Sequence, residues 1–205
     1  MEASMARPRE FDRDEALAKA RDVFWSRGYE GTSMADLVGE LGLASARIYA
    51  AFGSKEDLFR EAVALYEAQE GGFVERALAQ EPTALAAAER ILREAVDTYT
   101  RQGKPRGCMV VTAATNCTTE NAKIGEWLAE RRRAQTDAIT GRLDRALHEG
   151  ELQPGADARA LGDYFATVMH GLSVQARDGV SRERLQKVTD LAMQLLTAQA
   201  GSPSA

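Results

Sequence analysis

The stretch Gly31-Thr32-Ser33-Met34-Ala35-Asp36-Leu37, continued by Gly42-Leu43-Ala44-Ser45-Ala46-Arg47-Ile48-Tyr49-Ala50-Ala51-Phe52-Gly53-Ser54-Lys55-Glu56-Asp57-Leu58, decides how this chain reads. Ser33-x-x-Asp36 is a capping box: the serine hydroxyl accepts a first-turn backbone N–H and the aspartate reaches back to the cap. Val38 and Leu41 extend the apolar face of Ala35 and Leu37. Gly42 follows, where a left-handed residue ends a helix at least cost. A second short helix starts near Ala44 or Ser45 and runs to Phe52. Ile48 and Phe52 share its inward face, while Arg47, Ala50 and Ala51 fall on other sides. Gly53 stops it, and Ser54-x-x-Asp57 is a second capping box that opens the next helix. Two short helices joined by a tight glycine turn form the unit that lays its second helix in the major groove of DNA.

Upstream, Asp12-x-x-Glu15 opens an earlier helix with Leu17, Ala20 and Phe24 as its stripe and Val23 beside them. Gly28 ends it, and Tyr29 follows where a hydrophobic plug packs. The first ~60 residues thus predict a three-helix unit leading into a fourth helix. Arg7 and Arg9 precede it in an arm that fits either an adjacent minor groove or a solvated tail.

These residues resemble the TetR family of bacterial transcriptional regulators. The match runs through Gly28-Tyr29, Thr32-Ser33, Gly42-Leu43, Ile48-Tyr49, Phe52 and Ser54-Lys55-Glu56-Asp57-Leu58, in register over about fifty residues. One departure is Ala44, which stands where the family commonly carries Ser and leaves Ser45 as the expected cap. The resemblance implies an all-α protein: a three-helix DNA-binding domain over 1–56, a helical effector-binding and dimerisation domain over 57–200, and a disordered tail over 201–205. About nine helices are expected.

Composition agrees with that class. The 205 residues suffice for one large or two small domains, and alanine, leucine, arginine and glutamate favour helix. Met109-Val110-Val111-Thr112 is the one β-branched cluster. No apolar run approaches the ~20 residues of a membrane span and no signal-peptide pattern opens the chain, which predicts a soluble cytoplasmic protein with no membrane partner. The net charge is −5, and residues 1–60 hold nine Lys/Arg against eleven Asp/Glu. Many of those acids, Asp12, Asp14, Glu15, Asp36, Glu56 and Asp57, sit in first helical turns, where they complement the helix dipole. The balance predicts weak non-specific DNA binding with a steep salt dependence.

The rest of the chain reads as further helices. One runs from Ser54 to about Leu78, with a bend or break at Gly71-Gly72. The next begins near Pro82, carries Leu85, Ile91, Leu92, Ala95, Val96 and Tyr99, and stops at Gly103-Lys104-Pro105. A short helix follows from about Gly107 to Asn116, then a long one from about Thr119 to His148, and two more at about 156–177 and 181–198. The last two are more apolar than one buried face requires. Tyr164, Phe165, Val168 and Leu172 on the first, with Leu185, Val188, Leu191 and Leu195 on the second, form the expected homodimer interface. Ordinary core packing gives the same periodicity.

Candidate DNA contacts follow. Arg47 is the lone cation of the second short helix and can bridge guanine O6 and N7 or clamp a phosphate. Tyr49 occupies the family tyrosine position, implied to donate to a phosphate. Lys55 matches the family lysine and joins the N–H groups of its helix start as a phosphate site. Thr32 and Ser33 serve the preceding helix in the same way, or act as caps. Ser45, Ala46 and Ala50 are small enough for close approach to double-stranded operator DNA. For the unidentified small-molecule effector the expected lining is Tyr66, Phe73, Tyr99, Met109, Thr112, Asn116, Trp127 and His170, each of which also fits plain core packing.

Catalytic signatures are missing: there is no G-x-S-x-G, G-x-x-x-x-G-K-[ST], H-E-x-x-H or C-x-x-C, so no enzyme, metal or cofactor is expected. Cys108 and Cys117 would project to opposite sides of one helix, and cytoplasmic thiols are usually buried and inert. A regulator responsive to thiol oxidation or Cu(I) at those two residues is the alternative. The leading expectation is a ligand-responsive repressor.

Overall fold

The computed structural model describes residues 11–201. Arg7, Arg9 and residues 202–205 of the expected tail lie outside them. The described residues form ten helices: α1 (Arg13–Arg27), α2 (Met34–Leu41), α3 (Ser45–Phe52), α4 (Lys55–Ala68), α5 (Phe73–Gln80), α6 (Ala84–Tyr99), α7 (Met109–Thr112), α8 (Ala122–His148), α9 (Ala158–Arg177) and α10 (Arg182–Ala198). Among them there is no strand, and one backbone bridge joins Leu152 to Ala200. The all-α expectation holds.

Local chemistry explains most helix starts. Ser33 and Ser54 both make the complete reciprocal capping box with Asp36 and Asp57. Asp12 accepts from the Asp14 and Glu15 N–H groups at the start of α1. Gly42 ends α2 in the left-handed conformation at φ 67°, which a side-chain-bearing residue adopts at a cost. One cap is corrected: Ala44 is the N-cap of α3 and supplies no side-chain hydrogen bond, while Ser45 is already the first helical residue.

The break expected at Gly71-Gly72 divides the stretch from Ser54 to Leu78 into α4 and α5, and Gly71 lies so close to the Tyr66 ring that a side chain there would meet it at 2.6 Å. One helix differs from the sequence expectation. The helix expected over 107–116 shrinks to the single turn α7, which is also where the β-branched cluster lies.

The helices enclose one continuous core that runs from Ala16 to Leu196. α1 packs on α4, α8 lies along α9, and α6 sits between α5 on one side and α9 with α10 on the other. Aromatic rings join the N-terminal helices to the body. Phe24 and Phe59 meet edge-on at 5.1 Å, Tyr29 and Phe59 at 5.0 Å, and Trp25 and Tyr66 at 4.8 Å between centroids. A buried ion pair reinforces them: Arg21 on α1 reaches Glu70 at 3.1 Å, just past the end of α4. No described helix is long and apolar enough to cross a membrane.

Candidate functional site

α2, the Gly42 turn and α3 form a compact helix-turn-helix. Ile48 and Phe52 anchor α3 inward, each under 5% exposed. Ser45, Ala46, Arg47, Tyr49 and Ala50 all lie exposed on its other side. Tyr49 keeps 46% of its surface open, high for an aromatic residue. The Arg47 guanidinium rests 5.1 Å over the Phe11 ring and stays solvent-accessible. α3 therefore presents one small, open, singly charged side, which the other described residues leave uncovered.

Around this side the other expected contacts sort differently. Ser33 is exposed, and its hydroxyl is engaged with Asp36. Thr32 is corrected in its side chain: it is fully buried and its hydroxyl donates to the Gly28 carbonyl at 2.7 Å, so the hydroxyl is a structural tie and not free for DNA. Lys55 is half-buried with its ammonium 4.2 Å over the Tyr29 ring. Burial lowers its pKa, with Glu30 opposing. The lysine sits in the first turn of α4, beside that helix's free N–H groups.

Three of the eight expected effector residues come together. Tyr66, Phe73 and Tyr99 line a cavity of about 250 Å³ between α4, α5, α6 and α8, closed on one side by Cys108 and Val110. The other five lie elsewhere, which corrects their assignment to one pocket. Met109 is buried outside the cavity lining. Thr112 and Asn116 border a separate surface hollow near Arg27 and Arg177. Trp127 is packed between Phe59, Arg60 and Arg131. His170 is half-buried away from the cavity, with its Nε2 unpartnered and its pKa lowered by burial and then by Arg132. Sequence reading missed Arg131 and Glu67 at the cavity mouth, where they pair bidentately. The Trp127-x-x-x-Arg131 spacing on α8 was the available signal, since it puts both on one face.

The two-cysteine alternative is not favoured. Cys108 is buried beside Tyr66 and Tyr99, whereas Cys117 lies near Ala114, Gly125, Glu30 and Lys55. Both are free thiols, and burial pushes both upward from the ordinary cysteine value.

The C-terminal helices show what periodicity left open. Val188, Leu191 and Leu195 form an exposed apolar stripe on α10, and Val174 is exposed on α9. Tyr164 and Val168 are half-buried. Phe165, Leu172 and Leu185 are corrected: each is 2% exposed inside the chain's own core and has no surface left to offer a partner.

An open helix-turn-helix on an all-α body defines a DNA-binding regulator, and known proteins agree. The family model for bacterial regulatory proteins of the tetR family matches residues 16–62, and that for the tetracyclin repressor-like C-terminal domain matches 84–192. The HTH-type transcriptional repressor ComR of Escherichia coli K12 is 31% identical over 200 residues, covering 94% of this chain and 92% of ComR. A cysteine-substituted TetR family regulator, CifR, solved with a 26-base-pair double-strand operator, is 43% identical at TM-score 0.87, covering 92% of this chain and 98% of that one. A TetR-type regulator from Rhodococcus is 36% identical at TM-score 0.62, over 92% and 99% of the two chains. The chain belongs to the TetR family of transcriptional regulators.

Proposed function

We propose that this chain is a transcriptional repressor that binds a near-palindromic operator as a homodimer and leaves it when a small-molecule effector binds. Residues 1–56 are its reading head and 57–200 its effector and dimerisation part. It works in the bacterial cytoplasm, where its DNA is. The observation that carries this reading is the uncovered outer side of α3, with Arg47, Tyr49 and the small residues Ser45, Ala46 and Ala50. The operator complex formed by CifR supports it. The exposed stripe of α10 supports the dimer, since a two-fold pair sets two reading helices about 34–36 Å apart, one DNA turn. An effector can release DNA only by binding the DNA-incompetent arrangement more tightly. The 250 Å³ cavity is the seat for it, because α4 runs from the reading head to the cavity wall at Tyr66.

The deciding experiment is an electrophoretic shift with the DNA upstream of the chain's own gene. A retarded band, competed by the same fragment and not by unrelated DNA, is expected. No retardation at low salt would end the regulator reading and leave a helical binding protein without a DNA partner.

A further inference from the structure

The Tyr66 hydroxyl is fully buried, and among the described residues no group meets it in good hydrogen-bond geometry, although the Cys108 thiol and the Met109 backbone N–H stand beside it. It stands next to the Cys108 sulfur and to Tyr99, and all three residues line the cavity. A buried hydroxyl left unpaired costs free energy that a bound acceptor would recover. Burial pushes the Tyr66 and Tyr99 hydroxyls well above the ordinary tyrosine value and raises the Cys108 thiol as well. At neutral pH the inner end therefore offers protonated donors and no charge. Phe73, Val74 and Val110 supply apolar wall, and Gln135 of α8 adds one neutral amide to the lining.

Charge at the mouth narrows the occupant further. Arg131 is the one cation of the lining, and Glu67 already holds it through two hydrogen bonds. Glu75 adds a second carboxylate at the exposed rim. An anion entering here would lose its hydration and meet no free positive group, and a cation would leave both carboxylates behind at the rim. Size sets the remaining limit. A cavity of about 150 Å³ lined by apolar side chains takes benzene, so 250 Å³ suits roughly ten non-hydrogen atoms.

We propose that this cavity takes a compact neutral molecule, apolar apart from one hydrogen-bond acceptor that receives the Tyr66 hydroxyl. The proposal rests on the effector reading and adds the chemical class of the effector. Tyr66 becomes the residue that sets specificity. Its ring also touches the Trp25 indole of α1 at 4.8 Å, so the atom that recognises the ligand is on a side chain that abuts the reading head.

Three matched probes test this on the full chain by titration calorimetry. Acetophenone is neutral with a carbonyl acceptor, ethylbenzene has the same skeleton without it, and benzoate is the same size and charged. Acetophenone should bind about tenfold more tightly than ethylbenzene, the worth of one hydrogen bond to a buried donor, and benzoate should give no heat. Tyr66→Phe keeps the ring and should erase the preference, with folding checked by thermal melt. Ala138→Trp, at an exposed rim position of α8, should block acetophenone entry without touching the core. Benzoate binding as tightly as acetophenone, a preference that survives Tyr66→Phe, or no acetophenone heat in the native chain would each overturn the proposal. Operator binding is measured separately without probes. A chain that retards its DNA yet gives no heat with acetophenone loses the ligand class and keeps the regulator reading. A chain that binds acetophenone and no DNA loses only the latter.

Discussion

Leu191→Glu should turn the proposed dimer into a folded monomer. Leu191 leaves 65% of its surface open in the single chain, against 46% for Val174, 44% for Val188 and 41% for Leu195. Complete burial of a leucine side chain is worth about 1.5–3 kcal/mol, so covering the open two-thirds in a partner stabilises each copy by about 1–2 kcal/mol. Two-fold symmetry repeats the contact, which brings the loss to about 2–4 kcal/mol per dimer. That corresponds to a dissociation constant raised roughly thirty- to several-hundred-fold. Burying the introduced carboxylate of each copy in an apolar contact adds a desolvation cost. The fold itself should survive, because the side chain is mostly in solvent and glutamate is a good helix former. Sedimentation velocity over a concentration series reads the association, and circular dichroism reads the fold. A variant that dimerises as tightly as the parent would show that this stripe does not face a second copy, and the two-headed operator geometry would fall with it.

Three further outcomes follow from the same structure. Arg47→Ala should weaken operator binding by about 1–3 kcal/mol, read by fluorescence anisotropy; a flatter salt slope would mark a phosphate contact and relaxed base preference a groove contact. Glu70→Ala should destabilise the chain by about 1–2 kcal/mol in urea melts, because it removes one buried charged partner from Arg21, which keeps Asp22 and Gln69. Glu70→Gln, which keeps an acceptor, should lose less. The pH dependence has a definite sign: the Ser33 and Ser54 hydroxyls, with the cap N–H groups, hold Asp36 and Asp57 below the usual aspartate value of 3.8. Their contribution is present above 3.8 and lost as pH falls from there through the folded-state values, so urea melts in acid should show a decline that Ser33→Ala with Ser54→Ala flattens.

What the sequence disclosed depended on how far apart the deciding atoms are. The two capping boxes and Gly42 are settled within four residues, so α2, α3 and α4 could be placed from the chain alone. Ala44 shows the limit of that locality: α3 starts there uncapped, because Ile48 and Phe52 packed inside hold the helix in place. Aromatic spacing announced burial at Tyr66, Tyr99 and Trp127 but not a void. Whether a buried ring borders empty space depends on which helices meet over it, and Trp127 meets Phe59 and two arginines instead. On α9 and α10 the periodicity is the same for both faces. Only the packing of α6 tells Leu185, turned inward, from Leu191, turned out. Arg21 and Trp25 escaped notice because a charged residue and the neighbour of Phe24 fall off the expected stripe, although both are buried.

Those two residues change how a signal would travel. A hinge between reading head and body would need α1 to be loosely held at its C-terminal end, and it is not. The Trp25 indole N–H donates to the Gly107 carbonyl at 2.9 Å, and the Tyr29 N–H donates to the Ala113 carbonyl at 2.7 Å. Arg177 of α9 reaches the Ser26 carbonyl, and Glu30 accepts from Thr118 and Asn121. The loops on both sides of α7 are thereby bonded to the end of α1, and Cys108, in the first of them, lines the cavity. A ligand that moves Tyr66 presses on Trp25 directly and on α4 through its own backbone, so α1 and α4 would shift as one packed pair. In the proposed dimer the consequence is a rigid rotation of each head, which alters the spacing of the two α3 helices without unfolding either. Small displacements suffice for this, since a packed interface switches between arrangements and does not deform smoothly.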